Sequence, residues 1–114
     1  MCSQSVLNEI TGKVVQAARE SLGDKLDKVI LFGSYARGDH DGESDIDIMV
    51  LAEIRREDCW NEYMKLSKLT GDLSLEHDVL VSIHITDCKT FYQYMDDLPF
   101  FMNILKEGVT LSAK

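Results

Sequence analysis

The chain has 114 residues, 45% of them hydrophobic, and a formal net charge of −8 at pH 7. This length suits one globular domain, residues 1–114, with its own core, and is short for two. No apolar run of about 18 to 20 residues predicts a membrane span, and the N-terminus lacks a signal peptide's apolar stretch, so we expect a cytoplasmic protein. The acidic balance disfavours nucleic-acid binding without a partner, because such binding depends on many Lys and Arg side chains.

The spacing of apolar residues predicts the helices. Apolar positions three and four apart predict one amphipathic helix over 4–21 and a second over 56–73. The region 88–106 is predicted to form two short helices broken at Pro99, and Gly108 follows the last of them.

Short runs rich in branched and aromatic residues predict three strands, at 28–32, 45–51 and 77–85. Between the first two, the glycine-rich stretch 33–44 predicts one helical turn and an exposed loop. The order of elements predicts an α/β or α+β domain, in which helices cover one side of a small mixed sheet.

Two aspartates at the start of the second predicted strand form a candidate metal site. Asp45 and Asp47 are two residues apart, so their side chains leave the strand on the same face. Their carboxylates repel each other unless a cation lies between them. Mg²⁺ prefers oxygen ligands from one or two carboxylates, with phosphates and water completing its shell.

A Gly-Ser pair directly after the first predicted strand forms a candidate phosphate site. Gly33 and Ser34 start a helical turn, where free N–H groups and the helix dipole favour phosphate. Glycine lets a phosphate approach the backbone, and serine adds a hydroxyl donor. Arg37, one helical turn later, could reach a phosphate with its guanidinium.

These two features stand at a defined spacing: Gly33 and Ser34, ten residues, then Asp45, Ile46 and Asp47. The segment 30–50 resembles the signature of the DNA polymerase beta-like nucleotidyltransferase superfamily, in particular its minimal, antitoxin-type branch. The resemblance implies the polymerase beta-like fold and transfer of a nucleoside monophosphate, AMP from ATP, to a hydroxyl. It also implies bound Mg²⁺ or Mn²⁺, and it implies that Ser34 binds the triphosphate.

The resemblance further implies a third catalytic, metal-binding carboxylate on a later strand. Asp78, at the start of the third predicted strand, is the candidate for this position. Period-two alternation places Glu76 on the same strand face, so Glu76 is its main competitor.

Small stand-alone members of the resembled family often pair with a helical toxin-like protein and can modify it. This implies that the chain binds a nucleoside triphosphate and such a partner protein. It leaves open whether the chain also forms a homo-oligomer. One alternative is an antitoxin-like binding module that neutralises its partner by contact, because an acidic surface suits a basic partner. A second is a small-molecule modifier similar to the aminoglycoside nucleotidyltransferases, for which the chain is short.

The remaining aromatic and histidine side chains are expected to have structural roles. Aromatic residues at helical spacing favour the core or an interface over a base-stacking platform. The run at 100–102, with Met95, predicts either an apolar surface for protein contact or packing against the first helix. The histidines lack ligand-like spacing, so we expect surface or core positions for His40, His77 and His84.

Overall fold

The computed structural model describes residues 3–38 and 45–113. Within these ranges the helices are α1 Gln4–Leu22, α2 Ser34–Arg37, α3 Cys59–His77, α4 Cys88–Tyr94 and α5 Pro99–Glu107. The strands are β1 Leu26–Phe32, β2 Ile46–Ala52, β3 Val81–Asp87 and β4 Val109–Ala113. No helix of the described residues is both long enough and apolar enough to cross a bilayer.

The strands form one mixed sheet in the order β3-β2-β1-β4. β1 runs antiparallel to both β2 and β4, whereas β2 and β3 are parallel and are joined through α3, as a parallel pair requires a crossover. Phe32 of β1 pairs with Asp47 of β2, which in turn pairs with Ser82 of β3. This row of three residues crosses the end of the sheet where the predicted site lies.

One face of the sheet packs against α1 and α3. Val29 of β1 and Ile48 of β2 are fully buried there with Ile10 and Val14 of α1, and Leu66 of α3 joins the same cluster. The apolar residues of α1 recur every three or four positions, which turns one side of the helix towards the sheet. The helical periodicity read from the sequence is therefore confirmed for α1.

The opposite face of the sheet is partly covered by α4 and α5. Ile30, Met49 and Leu51 are buried there against Phe91 of α4 and Ile104 of α5. The predicted small mixed sheet is confirmed, but the prediction that helices cover only one side was wrong. The side chains of the central strands point alternately to two helical layers. These strands are therefore apolar on both faces, as is typical of strands covered on both sides.

The third predicted strand was placed too early in the chain. α3 continues to His77, and Asp78 ends it in a left-handed conformation, φ 52° and ψ 46°, donating its N–H to the carbonyl of Ser74. The Ser74 hydroxyl then accepts the N–H of Val81 at 2.9 Å, which starts β3. Asp is one of the few residues that tolerate this conformation, so it can end a helix where glycine is more usual. Asp78 and Glu76 consequently do not lie on a strand.

The C-terminal third of the chain has the helices predicted from the sequence and one strand that was not predicted. Pro99 is the first residue of α5, where its missing N–H costs nothing, and Gly108 follows the helix. The strand β4 was not predicted, because its apolar residues are few and Val109 is exposed. β4 lies on one edge of the sheet beside β1, and β3 forms the other edge.

Candidate active site

The turn between β1 and α2 is built around Gly33. Its backbone has φ 79° and ψ −158°, a region that only glycine adopts without strain. The Gly33 carbonyl accepts the N–H groups of Ala36 and Arg37 at 3.1 and 3.2 Å, which starts α2. The earlier N–H groups of a helix have no partner within the helix and can therefore receive an anion.

Gly33 lies directly against Asp47. A Cβ atom built on Gly33 would be 2.7 Å from Oδ2 of Asp47, closer than such atoms approach in proteins. The absence of a side chain at Gly33 therefore leaves the space that the carboxylate occupies. The fold brings the predicted phosphate-binding turn and one predicted metal ligand into contact.

The environment of Asp47 raises the pKa of its carboxyl group. Partial burial is the largest cause, the nearby His84 acts in the opposite direction, and the charge of Asp45 raises the pKa further. Asp45 lies one residue before β2, where the N–H of Ile46 donates to the carbonyl of Leu80 at 2.9 Å. The two aspartates are thus close enough to repel each other, and a bound cation would relieve that repulsion.

His84 is the site residue that sequence reasoning missed. Its Nε2 lies 4.0 Å from Oδ1 of Asp47. Its ring lies 5.3 Å from that of Phe32 and 6.4 Å from that of Phe100, measured between centroids. His84 follows Ser82 by two residues, so both side chains share the face of Asp47. The pairing of β2 with β3 places His84 at the site, and the spacing of histidines along the chain does not reveal that pairing.

Neither candidate for a third carboxylate lies on the strand predicted for it. Asp78 is exposed at the end of α3. Glu76 belongs to a group with Glu9 and His77 whose ligand atoms all lie within 4.8 Å, and His77 Nε2 is 2.7 Å from Glu9 Oε2. That group joins α1 to α3, on the other side of the sheet from Asp47. The assignment of Asp78 as a third metal ligand stays a prediction. Asp78 does not have the strand position on which that prediction rested.

The family model described as the nucleotidyltransferase domain matches residues 13–109, including the Gly33 turn and both aspartates. The chain belongs to this family. A protein of Methanocaldococcus jannaschii, "Putative protein adenylyltransferase MJ0604", is 31% identical over 97 residues, which are 85% of this chain and 89% of that protein. A second from the same organism, "Putative protein adenylyltransferase MJ0141", is 49% identical over 61 residues, 54% of this chain and 60% of its own length.

Two solved structures share the fold of this chain. A Sulfolobus solfataricus protein described as a putative nucleotidyltransferase is 20% identical, with a TM-score of 0.62 over 98% of this chain and 90% of that one. A toxin–antitoxin structure with AMP-PNP is 24% identical, with a TM-score of 0.53 over 91% of this chain and 73% of that one. At these identities the likeness establishes the fold.

In this nucleotidyltransferase domain, Arg37 lies at the same cleft as the Gly33 turn. The cleft has a volume of about 240 Å³, and its walls include Phe32, Gly33, Arg37 and Phe100. Nη1 of Arg37 is 3.8 Å from Oε2 of Glu107 in α5, and both side chains are nearly half exposed. An exposed pair of this kind is weak, so a phosphate in the cleft could compete with Glu107 for the guanidinium.

The residues around Asp47 suit a hard divalent cation. Asp45 and Asp47 offer carboxylate oxygens, and a pair of such ligands leaves coordination positions for phosphate and water, as Mg²⁺ requires. Partial burial of Asp47 also strengthens its interaction with a cation, because fewer waters screen it. Gly33 leaves the space next to this carboxylate without a side chain.

Proposed function

We propose that this nucleotidyltransferase transfers AMP from ATP to a hydroxyl group of a partner protein, and that it needs Mg²⁺ or Mn²⁺ held by Asp45 and Asp47. The observation that carries this proposal is the contact between Gly33 and Asp47, because it joins the predicted phosphate-binding turn to a predicted metal ligand. Two relatives named as protein adenylyltransferases support AMP and a protein acceptor. The toxin–antitoxin structure with AMP-PNP supports ATP and a separate partner chain.

The chain's own residues bind and orient the nucleotide in this proposal. Ser34 and the N–H groups at the start of α2 bind the β- and γ-phosphates, and Arg37 leaves Glu107 to contact them. Asp45 and Asp47 would hold the cation. When bound, Mg²⁺ neutralises phosphate charge and stabilises the leaving pyrophosphate.

The reaction itself is a single displacement at the α-phosphorus. The acceptor oxygen forms a bond to that phosphorus, and the bond from phosphorus to the oxygen that bridges to the β-phosphate breaks. Pyrophosphate leaves with the electron pair of the broken bond, and the hydroxyl proton passes to water. Since such a transfer needs little covalent help from the protein, positioning and charge neutralisation supply the catalysis.

Labelled nucleotides test this function directly. The protein is incubated with Mg²⁺ and each α-labelled nucleoside triphosphate, with and without the candidate partner, and both protein labelling and pyrophosphate release are measured. We expect ATP to label the partner, and Asp45→Asn and Asp47→Asn to abolish labelling. Asp72→Asn, the same change at an exposed position of α3, is the matched control and should retain activity. Label transfer that survives Asp47→Asn would contradict the proposal.

A binding module is the second candidate function, and the surface of the protein favours it. The net charge is −8. Exposed apolar side chains include Trp60 at 65% and Leu75 at 85%. Such a surface suits contact with a basic, partly apolar partner. If Asp47→Asn neutralises a toxic partner as fully as the wild type does in a growth assay, then contact rather than catalysis is the main function.

A further inference from the structure

Three side chains with metal-binding atoms lie where α1 meets the C-terminal end of α3, and we call them the Glu9 cluster. They are Glu9 of α1 with Glu76 and His77 of α3. Nε2 of His77 is 2.7 Å from Oε2 of Glu9 and 4.0 Å from Oε1 of Glu76. The helices α1 and α3 cover one face of the sheet, and Asp47 shares the other face with Met49. The cluster is therefore separate from the candidate active site.

The imidazole ring of His77 carries the observation that points to a ligand. Its Nε2 atom is buried and has no hydrogen-bond partner among the described residues. Oε2 of Glu9 is near enough to accept a hydrogen bond, but it lies too far off the direction of an Nε2–H bond. A buried nitrogen without a partner destabilises the fold. A cation bound to the lone pair of Nε2 would supply this partner, because neutral imidazole is a metal ligand.

The distances within the cluster fit one bound ion. Zn²⁺ binds imidazole nitrogen and carboxylate oxygen at about 2.0–2.2 Å, so neighbouring ligands of one ion lie about 2.8–3.4 Å apart. Such ligands point at the ion and not at each other, which is the relation between His77 and Glu9. Ligands on opposite sides of an ion lie about 4.2 Å apart, close to the 4.0 Å between His77 and Glu76. Both glutamate side chains are about half exposed, so they can rotate to complete the fit.

The charge of the cluster also favours a cation. Its two carboxylates carry two negative charges, in a chain whose net charge is already −8. Nζ of Lys13 lies 3.9 Å from Oε1 of Glu9, the carboxylate oxygen other than the one nearest His77. Both side chains of this pair are nearly half exposed, so it is weak. Oε2 of Glu9 is left facing His77, where a divalent ion would neutralise both carboxylates.

We propose that the Glu9 cluster binds a divalent transition-metal ion of the Zn²⁺ class. An imidazole ligand favours such ions over Mg²⁺ and Ca²⁺, which prefer oxygen ligands. Three protein ligands leave at least one coordination position for water. The ligands come from two helices far apart in the chain, so the spacing of histidines in the sequence did not reveal them. This inference does not use the proposed function, because no ligand of the cluster belongs to the candidate active site.

An ion in this position would tie the end of α3 to α1. His77 is the last residue of α3, and β3 begins at Val81. The unfolded chain does not hold the three ligands together, so the ion binds the folded chain and stabilises it. The ion thus fixes the end of the helix that joins the parallel strands β2 and β3.

Thermal unfolding with and without Zn²⁺ tests the site. The full chain is unfolded at neutral pH in excess Mg²⁺, which in the proposed function occupies Asp45 and Asp47. We expect saturating Zn²⁺ to raise the unfolding temperature of the wild type by about 4 °C or more. Asp47→Asn should show the same rise, because the two sites are separate. A further addition of Mg²⁺ in place of Zn²⁺ should produce no such rise.

Substitution of single ligands locates the ion. His77→Gln and Glu9→Gln should each remove the rise in unfolding temperature, because each deletes one ligand. Glu20→Gln is the matched control, since it makes the same change at another exposed position of α1. It should keep the rise seen in the wild type.

The visible absorption of Co²⁺ measures binding to the folded protein at a temperature where no variant unfolds. The full chain is titrated with Co²⁺ in excess Mg²⁺, and Zn²⁺ is then added to displace it. Loss of a ligand should cost at least as much as the about tenfold that follows from altering an outer partner of a metal ligand. We therefore expect Glu9→Gln to bind Co²⁺ at least about tenfold more weakly than the wild type and Glu20→Gln do.

Four results would overturn this inference and leave the proposed function intact. The first is a wild type whose unfolding temperature Zn²⁺ does not raise. The second is a rise that persists in His77→Gln, and the third is a rise lost in Asp47→Asn, which would assign the ion to the active site. The fourth is a thiolate-to-cobalt charge-transfer band, which would assign the ion to a cysteine. If His77→Gln does not fold, an unchanged Co²⁺ affinity of Glu9→Gln rejects the site.

Discussion

Replacing Gly33 by alanine tests how the active site is assembled. The new methyl group would lie 2.7 Å from Oδ2 of Asp47, whereas ordinary contacts begin at 3.4 Å. Either the carboxylate or the turn must therefore move, by about 0.3 Å at the least and by about 0.7 Å to restore an ordinary contact. Both are parts of the proposed site, so the change separates the metal ligand from the phosphate-binding turn whichever one moves.

The expected effect has two separable components. A displacement approaching 1 Å at reacting groups costs about 100-fold in rate, so we expect AMP transfer to fall by about that factor. Alanine in the backbone conformation of Gly33 costs in addition about 1–3 kcal/mol of folding free energy. The second component lowers the unfolding temperature but does not by itself affect the folded enzyme.

Gly23→Ala provides the matched control. Gly23 also has a positive φ, 56°, but no atom lies within 4 Å of a Cβ built there, and it ends α1 before β1, whereas Gly33 follows the other end of that strand. We expect both variants to lose stability in urea unfolding, and only Gly33→Ala to lose transfer and Mg²⁺-dependent ATP binding. If folded Gly33→Ala binds ATP and transfers AMP like the wild type, the close approach of Gly33 to Asp47 is not part of the function.

Three further changes probe the same site. Ser34→Ala should weaken ATP binding about 10- to 100-fold in calorimetry, through loss of a hydrogen bond to a charged phosphate, whereas an unchanged Kd would remove Ser34 from the site. In metal-free buffer Asp47→Asn should unfold at a higher temperature than the wild type at neutral pH. Because burial raises the pKa of Asp47, the folded wild type keeps the carboxyl proton of Asp47 to a higher pH than the unfolded chain does. The free energy of unfolding of the wild type therefore falls as the pH rises from the ordinary pKa of an aspartate to the raised pKa. A difference in unfolding temperature that stays constant over this pH range would contradict that reasoning. Asp78→Asn should retain transfer within a few-fold, because Asp78 is exposed at a helix end, and loss as complete as that of Asp47→Asn would restore it as the third metal ligand.

The parts of the site that lie close together in the chain were predictable from the sequence. Gly33 and Ser34 follow a strand, and Asp45 and Asp47 begin the next one, so a single antiparallel pair brings them together. Local rules suffice here: glycine permits the turn, and alternation along a strand sets the direction of both acids. The helices α1 and α5 and the break at Pro99 were predictable for the same reason.

The third strand shows where local rules fail. The segment 77–85 is rich in branched residues, yet its first residue, His77, belongs to α3, and β3 begins only at Val81. The helix ends where Asp78 adopts a left-handed conformation and Ser74 captures the N–H of Val81. Both contacts join Ser74 to residues four and seven positions later, and the apolar periodicity of the helix does not reveal them.

The sequence by itself determined the family, the mixed sheet, and the turn and acid pair that proposed catalysis needs, because these depend on backbone conformations and spacings within about twenty residues. Tertiary structure alone decided which residue of β3 lies beside Asp47, which face α4 and α5 cover, and that Trp60 and Phe100 line a cleft instead of filling the core. The physical reason is that strand register and helix packing are set by contacts between segments far apart in the chain. A shift of one residue in the pairing of β2 with β3 would turn His84 away from Asp47.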